Sequence, residues 1–171
     1  MRKEITDPVF IMADNDARPL KTIDKSVFVT EDKYNAYYFY DLDSWEGAIN
    51  PTSYDIGAKK AAKYLHDHGY SSLMFSSHMP QVIDKALFCE MLDAHPDIEM
   101  AGVCEWSSYF NYLLSVHPGI VEAKPYLTLA WPTVGTEWIR KVEQPEFLFE
   151  NFYDFNYEEK EYFLGFPVNI F

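Results

Sequence analysis

The chain has 171 residues, with 27 acidic against 14 basic side chains and a formal net charge of -13. That balance repels a phosphate backbone and an anionic bilayer, which disfavours nucleic-acid or membrane-surface partners. The composition is 48% hydrophobic and 18% aromatic, enough for one domain with a packed core and against disorder.

Val9–Ala13 is a short apolar run bounded by turn residues and reads as a buried strand. It empties into Asp14-Asn15-Asp16, and Pro19 closes the turn. Ligands of open α/β sheets sit at the carboxyl ends of strands, and Mg²⁺ is held by one or two carboxylates plus substrate phosphates. Asp14 and Asp16 are thus candidate metal ligands; a solvated acidic turn is the alternative. Val27-Phe28-Val29 is a candidate short strand, and Tyr34–Asp41, rich in tyrosine, reads as the next one. The segment 44–53 is a loop holding Trp45, Gly47 and Pro51. Ser53 caps a helix from Tyr54 to about His68, stopped by Gly69, with Ala58, Ala61, Ala62 and Leu65 on its apolar face.

Tyr70–Ser76 reads as a strand and Ser77-His78-Met79-Pro80 as a loop. Asp84 is placed to cap a helix over Lys85–Ala94, where Leu87, Phe88, Met91 and Leu92 share one face. Ile98–Val103 is a short candidate strand. A helix follows from Glu105 to His117, with Trp106, Phe110, Leu113 and Leu114 inward and Pro118-Gly119 as its stop. Tyr126–Trp131 alternates loosely, as strands do. The last third is aromatic and acidic, with Phe147-Leu148-Phe149 and Tyr162-Phe163-Leu164.

Cys89 and Cys104 lack metal-type spacing and read as reduced thiols, with a disulfide as the less favoured pairing. No apolar run approaches the roughly 18 residues that span a bilayer. The N-terminus lacks the apolar core of a signal peptide, so the expected location is cytoplasmic.

Three further side chains carry potential chemistry. His78, just after a strand, is suited to a phosphate, a metal or an acceptor hydroxyl, or else to a neighbouring loop group. Asp84 reads as a helix cap before it reads as a base. Glu105 opens a helix, where the dipole stabilises a carboxylate; its functional alternative is a general base. His117 suits the C-terminal end of the same helix. His66 and His68 lie two apart, on different helical faces, which argues against a shared metal. Trp45, Trp106 and Trp131 offer stacking surfaces or core packing.

Taken together, three segments resemble a known family. Val9–Leu20, with its Asp-x-Asp, looks like the metal-binding element of GT-A-type nucleotide-sugar glycosyltransferases. Ser77–Lys85 resembles the His-Met-Pro segment of bacterial capsule and exopolysaccharide glycosyltransferase-like proteins, and Glu105–Tyr112 resembles their Glu-aromatic-x-x-Tyr-x-Asn-Tyr helix. The resemblance covers about Pro8 to Gly119. It implies a mixed sheet flanked by helices, a partial GT-A fold. It also implies that Asp14, Asn15 and Asp16 meet a nucleotide-sugar donor, with Asp14 and Asp16 on Mn²⁺ or Mg²⁺. His78, Asp84 and Glu105 would then face a glycan or other hydroxyl acceptor. In that family a nucleotide-binding half precedes the Asp-x-Asp strand, whereas eight residues precede Val9 here. The resemblance therefore implies either a completing partner chain or a truncated relative. The second reading is a non-catalytic binding or regulatory protein that acts through a protein partner or as a homodimer. A phosphatase or hydrolase using the same acidic strand end is the weakest of the three.

Overall fold

The computed structural model describes residues 6–13, 17–41, 53–75, 79–98, 104–125, 128–132 and 148–153. In chain order the strands are β1 (Val9–Met12), β2 (Ala17–Pro19), β3 (Val29–Thr30), β4 (Lys33–Asp41), β5 (Leu73–Phe75), β6 (Gln81–Asp84), β7 (Val121–Pro125), β8 (Thr128–Pro132) and β9 (Phe149–Tyr153). The helices are α1 (Ser53–Asp67), α2 (Lys85–Ala94) and α3 (Glu105–Val116). The class is mixed α/β, as expected from the alternation of patterns. Positions 14–16, 42–52, 76–78, 99–103 and 133–147 lie outside the described residues. So do the expected loop around Trp45, most of the expected strand Ile98–Val103, and Tyr162-Phe163-Leu164.

Nine-residue β4 is the centre. Its Tyr34 pairs with Val29 of β3 and with Val121 of β7, and its Tyr38 pairs with Phe75 of β5 and Pro125 of β7. One residue cannot pair with two strands on one side. Hence β7 runs parallel along one edge, while β3 and β5, both antiparallel, divide the other. Between them a stretch of β4 has no strand beside it among the described residues. Asn35 N–H reaches Phe28 O (2.9 Å) there. Beyond it, Gln81 closes the gap: its Oε1 accepts from Tyr37 N (2.9 Å) and its Nε2 donates to Tyr37 O (3.0 Å). The amide replaces a missing strand, and Gln81 is fully buried. Buried backbone groups must be paired, so this contact is obligatory for the sheet.

Gln81 opens β6, which pairs antiparallel with β1 from Val9↔Asp84 to Met12↔Gln81. The expectation of a buried β1 is corrected. Val9 is 40% and Ile11 53% exposed, while Phe10 and Met12 pack on the core. Among the described residues β1 pairs with β6 alone, and period-two alternation divides its apolar residues between core and solvent. Its C-terminal end lies beside the start of β6, not at the carboxyl end of a parallel sheet.

The β3–β4 hairpin turns on Glu31 (φ 51) and Asp32 (φ 64), both left-handed, which matches the twist of a two-residue hairpin. Val27 and Phe28 are not strand as expected. Lys25–Val27 is a 3₁₀ turn whose cap, Asp24, accepts from Ser26 N (2.8 Å). Helix α1 stops as expected: Gly69 (φ +75) donates to His66 O (2.9 Å) and Tyr70 N to Leu65 O (3.0 Å), a Schellman closure. Helix α3 lies against β5 and β7, α1 and α2 pack on α3, and Phe75, Ile83, Met91, Trp106, Tyr109, Phe110 and Leu113 form the core. The third sheet, in the order β2-β9-β8, adds Phe149 to a smaller cluster with Tyr37 and Met79. Cys89 and Cys104 do not form a disulfide. Among the described residues no helix is long and apolar enough to cross a membrane.

Gln81→Met, close in shape but without the amide, strands two buried backbone groups of Tyr37. Its expected cost is about 2–4 kcal/mol in urea unfolding; a loss below about 1 kcal/mol would mean that the amide does not carry the gap.

Candidate functional site

Asp84 stands where β6 becomes α2. Its Oδ1 accepts from Ala86 N (2.9 Å) and Leu87 N (3.3 Å), and its Oδ2 accepts from the Tyr34 hydroxyl (3.2 Å). Its own N–H donates to the Tyr109 hydroxyl oxygen (3.0 Å). Burial first, and then the Asp84 carboxylate, pushes the Tyr34 phenol up; burial also raises that of Tyr109. Both phenols therefore stay protonated as hydrogen-bonding groups. The cap expected from sequence is present, and three donors occupy this carboxylate.

Glu105 is the first residue of α3 and is exposed. The N-cap before it, Cys104, offers no side-chain bond, so a carboxylate in the first turn has the helix dipole to itself. Burial raises the Cys104 thiol, which keeps it neutral. Asp84 meets α3 through Tyr109, one helical turn beyond Glu105. His78, Asp14, Asn15 and Asp16 lie outside the described residues.

The polar residues of the Glu105–Tyr112 segment have a different task. Ser107 and Asn111, one turn apart on α3, face the backbone of β5. Asn111 Nδ2 donates to Leu73 O (2.7 Å) and Ser107 O (2.7 Å), and its Oδ1 accepts from Leu73 N (3.2 Å) and the Ser71 hydroxyl. Ser107 Oγ accepts from Phe75 N (3.1 Å) and lies 3.1 Å from Phe75 O. Helix side chains thus satisfy the backbone of β5 as a strand would. Ser108 bonds back to Cys104 O (2.8 Å) within the helix.

A cluster that the sequence reading missed joins the ends of α1 and α2 to α3. His95, the C-cap of α2, is buried. The Tyr70 hydroxyl bonds its Nε2, and the Tyr64 hydroxyl lies 3.4 Å from its Nδ1. Tyr64 also donates to Asp97 Oδ1 (3.3 Å). The His68 ring stands edge-on to His95 at 4.7 Å, and Tyr112 meets it at 6.0 Å. Tyr112 in turn donates to Glu90 Oε1 (2.7 Å), which also faces His117 Nε2 (2.9 Å). Burial first, and then His68, lowers the His95 pKa, against the opposing pull of Asp97. Burial pushes the Tyr64 and Tyr112 phenols up to about 12, helped by Asp97 and Glu90 respectively. The signal in sequence was Tyr64 and His68 at helical spacing, followed by Tyr70. His68, expected not to share a metal with His66, has its ring contacts with Tyr64, Tyr70 and His95.

Among the described residues no three His, Cys, Asp or Glu side chains converge to hold a metal. Comparison with protein-family models, curated proteins and solved structures finds no match to this chain.

Asn111→Ala should cost about 2–4 kcal/mol, since it strands both Leu73 groups, and Ser107→Ala about 1–2 kcal/mol. Chemical denaturation checks this; wild-type stability in both variants would show that water satisfies β5 instead.

Proposed function

We propose that this chain is a non-catalytic binding protein that acts through a protein partner, with β1 as its docking strand. The observation that carries the reading is the placement of Val9 and Ile11. A four-residue uncharged strand exposes two of its apolar side chains, and among the described residues it pairs with β6 alone. Open strand edges are templates for another extended segment. In sequence the strand is bracketed by Asp7 on one side and Asp14 and Asp16 on the other, within a chain of charge -13. That arrangement favours an extended partner segment with alternating apolar residues and flanking Lys or Arg. It disfavours a second copy of this chain, whose acids would face these. The bonding of Asp84 supports the same reading, because it gives structural work to one of the three candidate catalytic side chains.

The alternative reading is metal-dependent glycosyl transfer on a partial GT-A fold. In it Asp14 and Asp16 hold Mn²⁺ or Mg²⁺ against a nucleotide-sugar, and Glu105 and His78 face the acceptor. It rests on the order of the three resembling segments.

A synthetic peptide alternating Val and Thr between Lys pairs should perturb the backbone amide NMR signals of Val9–Met12. Ile11→Lys should abolish the effect, and the same peptide with Glu flanks should not produce it. Absence of that perturbation, together with a rise in thermal stability that needs both Mn²⁺ and a nucleotide-sugar and is lost in Asp16→Ala, would overturn the proposal in favour of transfer.

A further inference from the structure

The cluster around His95 has a proton arrangement that the distances narrow to one. Tyr64 gives its hydroxyl hydrogen to Asp97, so its oxygen is left to accept from His95 Nδ1–H. Nε2 is then the acceptor, and the Tyr70 hydroxyl donates to it. His68 is fixed beside the ring by its own bond, Nδ1 to Tyr64 O (2.8 Å). A neutral His95 satisfies every one of these contacts. A proton added at Nε2 turns the acceptor into a donor, displaces the Tyr70 hydrogen, and places a cation edge-on to the His68 ring.

We propose that His95 and its neighbours form an acid-operated latch that holds the C-terminal ends of α1 and α2 against α3. The groups facing His95 are Tyr64 from α1, His68 and Tyr70 from the segment after it, Asp97 from the turn after α2, and Tyr112 from α3. Behind Tyr112 stand Glu90 of α2 and His117. Among the described residues Asp97 is the anion acting on the ring, and it is exposed to solvent. The unfolded chain takes up the His95 proton at the ordinary histidine value and the folded chain resists it. Folding therefore loses stability as pH falls through about 6.5. Glu90 and Asp67 have carboxyls held below their usual range, so their contributions fade only in stronger acid. The histidine step stands apart from them.

The latch also has a defined place to open. Tyr70 N bonds Leu65 O (3.0 Å), and His95 N bonds Met91 O (3.0 Å), so the last turns of both helices end at the cluster.

The test is amide hydrogen exchange from about pH 7.5 to about 5.5, corrected for intrinsic rates. In the intact chain the amides of Tyr70 and His95 should lose protection relative to Leu113 in the interior of α3, by up to about tenfold, the most that one histidine resisting its proton over this range can produce. The control His66→Gln, at an exposed histidine of α1, should behave the same. His95→Gln, which keeps one donor and one acceptor but does not titrate, should show no such loss. Equal loss in His95→Gln, or none in the intact chain, overturns the proposal. If His95→Gln does not fold, Tyr70→Phe decides. Removing the donor to Nε2 should move the transition to higher pH, and an unchanged midpoint overturns the latch.

Discussion

One buried amide sets the arrangement of the sheets. Tyr37 lies where β4 has left β3 and has not yet met β5, and its N–H and C=O point into the core. Nothing but a donor and acceptor at strand spacing satisfies them there, and the Gln81 side chain supplies both. Because Gln81 opens β6, the same contact carries the β1–β6 pair to the central strand. It also places Asp84 three residues on, at the start of α2, where it caps that helix and receives Tyr34 from β4. The position of β1, and so the exposure of Val9 and Ile11, follows from where this amide must sit.

The same device recurs on β5. Asn111 and Ser107 present an amide and a hydroxyl one turn apart, at the rise that alternate strand residues require. Three strand-like contacts thus come from side chains of a β6 residue and two α3 residues. A short-stranded, strongly acidic chain can close its sheets this way without adding strands. Polar residues then appear inside apolar segments for a structural reason, and in sequence they look like a site.

That ambiguity explains what sequence reading reached and what it did not. Helices α2 and α3 were legible because Asp84, Gly119 and the apolar spacing of Phe88, Met91, Trp106, Phe110 and Leu113 all agree. The aromatic run of β4 was legible for the same reason, and the stop at Gly69 was written in one residue. Strands β6 and β7 were not, because four or five residues carry too little period to distinguish them from loop. The β3–β4 hairpin was missed because Glu31-Asp32 occupies a turn that Asn-Gly usually marks. Strand β1 was placed correctly but misjudged in depth: a continuous apolar run does not reveal that, among the described residues, β6 alone pairs with it. Asp84 was read as a cap and is one. The histidine cluster was illegible because His95 meets Tyr64, Tyr70 and Tyr112 across three helices, and no local spacing encodes that meeting.

The most direct measurement is amide hydrogen exchange at Tyr37, Leu73 and Phe75 under native conditions. These amides donate to side chains in places where a strand would otherwise stand. If side chains carry the sheets, all three exchange only through global unfolding, as slowly as the amides of the α3 interior. Exchange at the rate of open-edge amides would contradict the account, and would show that the gaps in β4 and beside β5 are filled by water.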